Sequence, residues 1–169
     1  MTRISLGLEK TSVLRRVTDF LVAEGIGAYL VGGYIRDALL GRPTRDVDIA
    51  VQAEAPKVGR RLADILHGKY VLLDRANGIV RVILTEGDPE AGIRWHFDLS
   101  TVHESIEADL ARRDFTVDAM AVDLREAVEA EPVELIDPFR GRDDLDRRLL
   151  RVVSDTVFED DPARLIRAV

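Results

Sequence analysis

The chain has 169 residues, of which 46% are hydrophobic and 33% charged, and its net charge at neutral pH is −7. This length and composition are typical of one globular domain with its own hydrophobic core. No apolar run approaches the roughly 20 residues that a membrane helix needs, so we expect no membrane partner. The chain has no cysteine, which excludes disulfides and cysteine-ligated zinc and fits a cytoplasmic location.

The acidic charge is unfavourable for a polynucleotide-binding protein, because affinity for a polyanion comes largely from lysine and arginine. Either the substrate is not a polynucleotide, or the surface that binds it lies elsewhere. The C-terminal sequence favours the second interpretation. Asp161 and Pro162 begin a helix, Leu165 and Ile166 start its apolar stripe, and no stop signal follows. We therefore expect the chain to end inside a helix, with the regions that hold RNA beyond it.

Hydrophobic periodicity and turn signals predict alternating helices and strands. In chain order they are a helix over 10–24, a strand over 28–31, a helix over 34–40, a strand over 46–52, a helix over 56–67, hairpin strands over 70–73 and 79–84 around Asn77-Gly78, a strand over 94–99, a helix over 106–113 capped by Ser105, strands over 120–124 and 133–136, and charged helical sequence from Gly141. This order predicts an α/β (α+β) fold with a small mixed sheet.

The strongest local pattern is the pair of aspartates in Arg45–Val51. Because side chains alternate along a strand, Asp46 and Asp48 share one face and Val47 and Ile49 the other. Two adjacent carboxylates repel each other, and a divalent cation such as Mg²⁺ removes that repulsion. This motif alone leaves a second possibility open, an exposed strand edge with two solvated acids.

A glycine pair precedes these aspartates at the junction of a strand and a helix. Gly32 and Gly33 allow the backbone to approach a phosphate group, and the following helix begins with N–H donors. Arg36 lies one turn inside and can donate to a phosphate. Taken alone, a Gly-Gly pair is equally satisfied by a tight turn. Beside paired carboxylates, it predicts a triphosphate on the glycine turn and metal ions on the aspartates.

A third acid lies on the strand over 94–99, where Arg94, His96 and Asp98 form the polar face. If this strand lies beside the Asp46–Asp48 strand, Asp98 completes a carboxylate trio that helps a metal ion to lower the pKa of an attacking hydroxyl. Pairing with Arg94 or with solvent is the alternative.

Downstream, Arg112, Arg113 and Asp114 follow one another. The arginines suit a solvated helix end, where cations are favoured. They equally suit the phosphates of a nucleotide, with Asp114 accepting from a sugar hydroxyl. The spacing leaves both interpretations open.

Five segments between about Tyr29 and the C-terminus carry a resemblance. They are Leu30–Gly41, Asp46–Asp48, Leu110–Thr116, Asp137–Leu145 and Phe158–Val169. Together they resemble the class II tRNA nucleotidyltransferase (CCA-adding enzyme) and bacterial poly(A) polymerase family, within the DNA polymerase beta-like nucleotidyltransferase superfamily. Their occurrence in the family order makes the resemblance specific.

The resemblance implies a nucleotidyltransferase head over 1–140 and the start of a helical neck over 141–169. It implies an enzyme that adds nucleotides from NTP (ATP, CTP) to an RNA 3′ end, that of tRNA, without a template, by two-metal phosphoryl transfer. Asp46 and Asp48 would hold the Mg²⁺ ions. The implied nucleotide contacts are Gly32, Gly33 and Arg36 for the triphosphate, Arg113 and Asp114 for sugar and phosphates, and Asp161 and Arg164 for the base.

Three alternatives remain: a poly(A) polymerase, a small-molecule nucleotidyltransferase, and a fragment that binds NTP and Mg²⁺ without transfer to RNA. The neck residues Asp161 and Arg164, which match the family's base-selecting motif, argue against the small-molecule enzyme. CCA-, CC-, A- and poly(A)-adding activities share the head motifs, so the motifs do not separate them. Asp118 departs from the family pattern, which usually has asparagine there.

Overall fold

The computed structural model describes residues 2–7, 12–87, 92–130 and 132–156. In chain order the elements are β1 (Arg3–Ile4), α1 (Ser12–Ala23), β2 (Ala28–Val31), α2 (Gly33–Leu39), β3 (Asp46–Val51), α3 (Ala55–Leu66), β4 (Lys69–Asp74), β5 (Ile79–Glu86), β6 (Ile93–Thr101), α4 (Ile106–Ala111), β7 (Ala121–Asp123), α5 (Leu124–Glu129), β8 (Val133–Glu134) and α6 (Gly141–Asp146). A 3₁₀ turn, Thr116–Asp118, lies between α4 and β7.

A mixed six-stranded sheet organises the fold, as the sequence predicts. Its strand order is β4-β5-β6-β3-β2-β7, and β1 and β8 form a separate two-stranded ribbon. Strands β3 and β6 are parallel, whereas the other neighbours in the sheet are antiparallel. The parallel pair therefore places two central strands side by side with their polar residues in register.

The main hydrophobic core covers one face of this sheet. Helices α1, α3 and α5 contribute apolar residues to it, and β3 contributes Val47, Ile49 and Val51, each at most 1% exposed. On the opposite face of β3, Ala50 packs in a small second cluster with Ile106 and Leu110 of α4. Helix α4 covers that face only at the C-terminal end of β3, where Ala50 lies. The face therefore remains open at Asp46 and Asp48.

Three differences from the predicted helices bear on the site and its surroundings. Helix α4 ends at Ala111, two residues early, so Arg113 lies beyond it. The six-residue α5 was not predicted; Asp123 caps it by accepting from the Glu126 N–H at 3.0 Å. The helical sequence expected from Gly141 stops at Asp146 within the described residues, because Arg148 adopts a left-handed φ of 56°.

The remaining predictions about the C-terminal segment concern residues that the structure does not describe. Asp161 and Arg164 lie outside the described residues, and the boundary between head and neck at 140/141 stays a prediction. Within the described ranges, no helix has the length and apolar character needed to cross a membrane.

Candidate active site

The parallel pairing of β3 with β6 brings the predicted acids together. Asp48 is the register partner of Asp98, and Asp46 is the partner of His96. The two strands are neighbours, which was the condition for Asp98 to join the pair, and Asp98 lies beside Asp48 on the polar face. Among the described residues, however, the three carboxylates do not converge into a metal-binding group. Asp48 and Asp98 are partly buried, whereas the Asp46 side chain is 70% exposed.

Two of these acids already have partners. Arg81 on β5 donates two parallel hydrogen bonds to Asp98, with Nε–Oδ1 and Nη2–Oδ2 distances of 2.6 and 2.7 Å. The Nδ1 atom of His96 lies 2.9 Å from Oδ1 of Asp46. Arg81, rather than the expected Arg94, is the partner of Asp98, because β5 places Arg81 directly opposite; Arg81 was not predicted from the sequence. Asp98 is therefore held and neutralised by an arginine.

Asp48 carries its charge in an unfavourable position. Burial raises the pKa of its carboxyl above the ordinary value, and the negative charges of Asp98, Asp118 and Asp46 raise the pKa further. The positive charge of Arg113 opposes this rise. A bound cation would relieve the same repulsion.

The glycine pair is required by close approach as well as by backbone conformation. Gly32 has φ 67° and ψ −134°, which only glycine adopts readily. A Cβ there would lie 2.6 Å from Nη1 of Arg113 and 3.3 Å from Oδ2 of Asp48. A Cβ on Gly33 would lie 3.3 Å from Nη2 of Arg36. The Gly32 N–H donates to the Met120 carbonyl at 3.2 Å, so the turn's main contribution is space for two guanidinium groups beside a carboxylate.

Arg36 is firmly held by carboxylates. Its Nε lies 3.1 Å from Oδ1 of Asp37, and its Nη1 lies 2.5 Å from Oδ1 of Asp118. Burial raises the pKa of Asp118, while the charges of Arg36 and Arg113 act to lower it. Asp118, the position that departs from the family pattern, is thus the acid that links the two arginines.

Arg113 is held more loosely. Its Nη2 lies 3.4 Å from Oδ2 of Asp109, and its Nη1 lies 3.5 Å from the carbonyl oxygen of Asp118. Its buried Nε has no hydrogen-bond partner among the described residues. A buried donor without a partner is unfavourable, so Arg113 retains donor capacity for an anionic ligand.

A cavity of about 910 Å³ joins these groups. Five predicted site residues line it: Gly33, Arg36, Asp48, Arg113 and Asp114. Three others, Gly32, Asp46 and Asp98, lie adjacent to the lining rather than in it. The wall also contains residues that were not predicted, among them Ser100, Thr101, His103 and the hairpin turn Asp74–Ile79. Their presence depends on contacts between distant parts of the chain, for which the sequence contains no local signal.

The donor set fits a divalent cation held by two carboxylates. Across the ranges that the structure describes, no three His, Asp or Glu side chains converge in a metal-binding arrangement. Mg²⁺ is commonly bound by one or two carboxylates together with substrate phosphates and water. Asp46 and Asp48, with an arginine-lined space beside them for phosphates, match that pattern.

Comparison with known proteins agrees with this geometry. Residues 28–151 match the family described as the poly A polymerase head domain. The chain belongs to this family. The matched range extends past residue 140 and includes every described site residue of the pocket.

The chain is similar to several tRNA-processing enzymes. It is 38% identical to a CC-adding tRNA nucleotidyltransferase from Geobacter sulfurreducens, in an alignment that covers 85% of this chain and 31% of that protein. It is 39% identical to a CCA-adding enzyme from Geobacillus thermodenitrificans, covering 86% and 36%. The solved structure of the Thermotoga maritima CCA-adding enzyme complexed with tRNA superimposes with a TM-score of 0.79 at 31% identity, covering 99% and 40%. The chain thus spans about a third of the length of the curated relatives that it matches.

Proposed function

We propose that the chain is the catalytic head of an enzyme that adds nucleotides, without a template, to the 3′ end of RNA, and that its substrate is tRNA. The observation that carries the proposal is the single cavity in which the Asp48 carboxylate meets the guanidinium groups of Arg36 and Arg113. Enzymes of phosphoryl transfer commonly combine a carboxylate that binds a metal ion with arginines that bind the phosphates. The relatives are named a CC-adding tRNA nucleotidyltransferase and a CCA-adding enzyme, and these names support RNA over a small-molecule acceptor.

The chain's own residues would bind and orient the nucleotide. Arg36 and Arg113 would hold the triphosphate, since guanidinium groups suit phosphate oxygens, and Gly32 and Gly33 would allow it to come close. Asp114, which is 9% exposed at the cavity wall, would accept from a sugar hydroxyl. With the nucleotide fixed, the oxygen of the RNA 3′-hydroxyl would form a bond to the α-phosphorus and give up its proton to solvent, while the bond from that phosphorus to the pyrophosphate group breaks and pyrophosphate leaves.

Asp46 and Asp48 would hold the Mg²⁺ ions. When bound, such ions stabilise negative charge on the phosphates and lower the pKa of the attacking hydroxyl. His96 would orient Asp46, and Arg81 would orient Asp98, through the hydrogen bonds described above. The base-selecting roles of Asp161 and Arg164 stay predictions.

The test is extension of a labelled tRNA that lacks its 3′ end, with ATP and CTP, by the 169-residue chain and by a longer chain that contains it. We expect Asp46→Ala and Asp48→Ala each to lower the transfer rate by at least about a thousandfold, because each removes a group that stabilises the transition state. Unchanged circular dichroism and melting temperature would show that the fold is intact. Retained activity in either single variant would contradict the mechanism.

The shorter chain separates two forms of the proposal. Nucleotide binding without extension by the 169-residue chain, beside extension by the longer chain, would mean that the head holds the nucleotide while further regions hold tRNA. Extension of a tRNA that ends in CC, compared with extension of a tRNA that lacks the CC, would identify which nucleotides are added.

A further inference from the structure

The turn between β4 and β5 forms a rigid part of the cavity wall. Oδ1 of Asp74 accepts from the N–H groups of Ala76 and Asn77 at 2.8 and 3.0 Å, and Oδ2 accepts from Nδ2 of Asn77 at 2.6 Å. The register shifts between Leu72 and Asp74, and such irregularities redirect the end of a hairpin. The turn is therefore fixed by its own hydrogen bonds in a position that faces the cavity.

Arg75, in this turn, is a cation available to a ligand. It is exposed, it lines the cavity, and within the described part of the chain it makes no ion pair or hydrogen bond. The turn's only carboxylate, Asp74, directs both oxygens to the turn itself. Arg75 is thus free of internal neutralisation in a chain whose net charge is −7.

Arg112 gives the same cavity a second accessible cation. Its side chain is 52% exposed, and its contact with Oδ1 of Asp109 is long, at 3.4 Å. By contrast, the side chains of Arg36 and Arg113 are 32% and 24% exposed and lie deeper, beside Asp48. The cavity therefore has an inner pair of arginines and an outer pair, Arg75 and Arg112, which we call the rim arginines.

We infer that the rim arginines bind the phosphodiester backbone of the RNA strand whose 3′ end enters the cavity. This inference rests on the proposed function. The inner pair is placed for the triphosphate because it lies beside the acids that would hold metal ions. The cavity, at about 910 Å³, is near the upper end of the roughly 300–1,000 Å³ of small-molecule sites and has room for more than one nucleotide. The RNA terminus has to reach the nucleotide from outside, so its preceding phosphates lie at the rim.

The test uses the 169-residue chain and a short fluorescein-labelled single-stranded RNA ending in CC, with binding measured by fluorescence anisotropy over a series of salt concentrations. We expect Arg75→Gln to weaken RNA binding about fivefold and to lower the slope of log K against log salt by about 0.7, the value for one phosphate contact on a single strand. Arg75→Gln combined with Arg112→Gln should lower the slope by about 1.4.

The matched control is Arg16→Gln on α1, because Arg16 is also exposed and without an ion pair in the described structure but lies away from the cavity. Arg16→Gln should not change the slope. Calorimetric titration with ATP and Mg²⁺ distinguishes failure of the proposed function from failure of the inference about the rim arginines. The absence of ATP binding to the unmodified chain would count against the proposed function. ATP binding with no RNA binding, equal slopes for Arg75→Gln and Arg16→Gln, or a larger loss of ATP than of RNA affinity in Arg75→Gln would overturn the inference about the rim.

Discussion

At the scale of single residues, the site depends on side chains that approach one backbone position. Gly32 combines a left-handed φ with contact to Arg113 and Asp48, so its conformation and its lack of a side chain are both needed. The Asp46-Val47-Asp48 pattern and the glycine pair are local in sequence, and they were therefore predictable. Arg81 was not, because its contact with Asp98 depends on the register between two strands, which no single segment encodes.

Replacing Gly32 by alanine tests this close packing, with Gly41→Ala as the control. Gly41 has a similar φ of 66° but no neighbouring atom within 4 Å of an added Cβ. Gly41→Ala should lower the free energy of unfolding by about 1 kcal/mol, through backbone strain alone. Gly32→Ala should lower it by about 2–4 kcal/mol, because the methyl group also displaces the Arg113 guanidinium.

Urea denaturation and ATP calorimetry measure the two effects. We expect Gly41→Ala to bind ATP as the unmodified chain does and Gly32→Ala to bind at least about tenfold more weakly, since a displaced guanidinium loses a charge-assisted hydrogen bond. Equal ATP affinities in the two variants would show that Arg113 does not need its place beside Gly32.

At the scale of elements, prediction succeeded where the pattern was long or well punctuated. Strand β2 has the predicted limits because an apolar run lies between glycines, and the apolar stripe of α1 is buried as expected. Helix α5 is only six residues long, too short for a periodic signal. Helix α6 was expected to continue, but the charged sequence that suggests a helix also contains Arg148, whose left-handed conformation turns the chain back toward β-bridge pairing of Val152 with Phe115.

Asp144 connects α6 to the segment of Arg113 and Asp114, and it gives the fold a pH dependence. It is 2% exposed, accepts from Oγ1 of Thr116 at 2.6 Å, and forms an ion pair with Arg151. Burial acts to raise the pKa of Asp144, but the hydrogen bonds from Thr116 and Arg151 and the arginine charges outweigh it, and the pKa is lowered. A carboxyl whose pKa is lower in the folded state stabilises that state above its unfolded pKa of about 3.9.

Asp144→Asn should therefore lower the free energy of unfolding at pH 7 by about 1.5–3 kcal/mol, the range for hydrogen bonds to a charged group. The neighbouring Asp143→Asn, whose ion pair with Arg140 is exposed, should change it by less than about 0.5 kcal/mol. As the pH falls below about 3.9 and through the lowered folded-state pKa, Asp144 takes up a proton and the difference between unmodified chain and Asp144→Asn should shrink. Urea denaturation at pH 7 and at a pH below about 3.9 measures the difference in free energy of unfolding between the two proteins. A difference that does not change with pH would show that the carboxylate charge contributes nothing.

At the scale of the whole molecule, the sequence could not predict which distant segments share one cavity. The hairpin turn is separated from Arg36 and from Arg113 by more than thirty residues in each direction, and only the order β4-β5-β6-β3-β2 brings it to the same site. The acidic net charge is not reversed at this scale. Four arginines and five aspartates line the cavity, so the proposed contact with phosphates depends on individual arginines rather than on a basic surface. The chain accounts for about a third of the length of its relatives.

The most direct measurement is calorimetric titration of the 169-residue chain with ATP, with and without Mg²⁺, beside the Asp46→Asn/Asp48→Asn double variant. We expect Mg²⁺ to raise the affinity for ATP at least about tenfold in the unmodified chain, because paired carboxylates and substrate phosphates share the ion. In the double variant, the affinity for ATP should be the same with and without Mg²⁺. An equal Mg²⁺ dependence in both proteins would contradict the assignment of the metal ions to Asp46 and Asp48, and the absence of ATP binding to the unmodified chain would contradict the whole site.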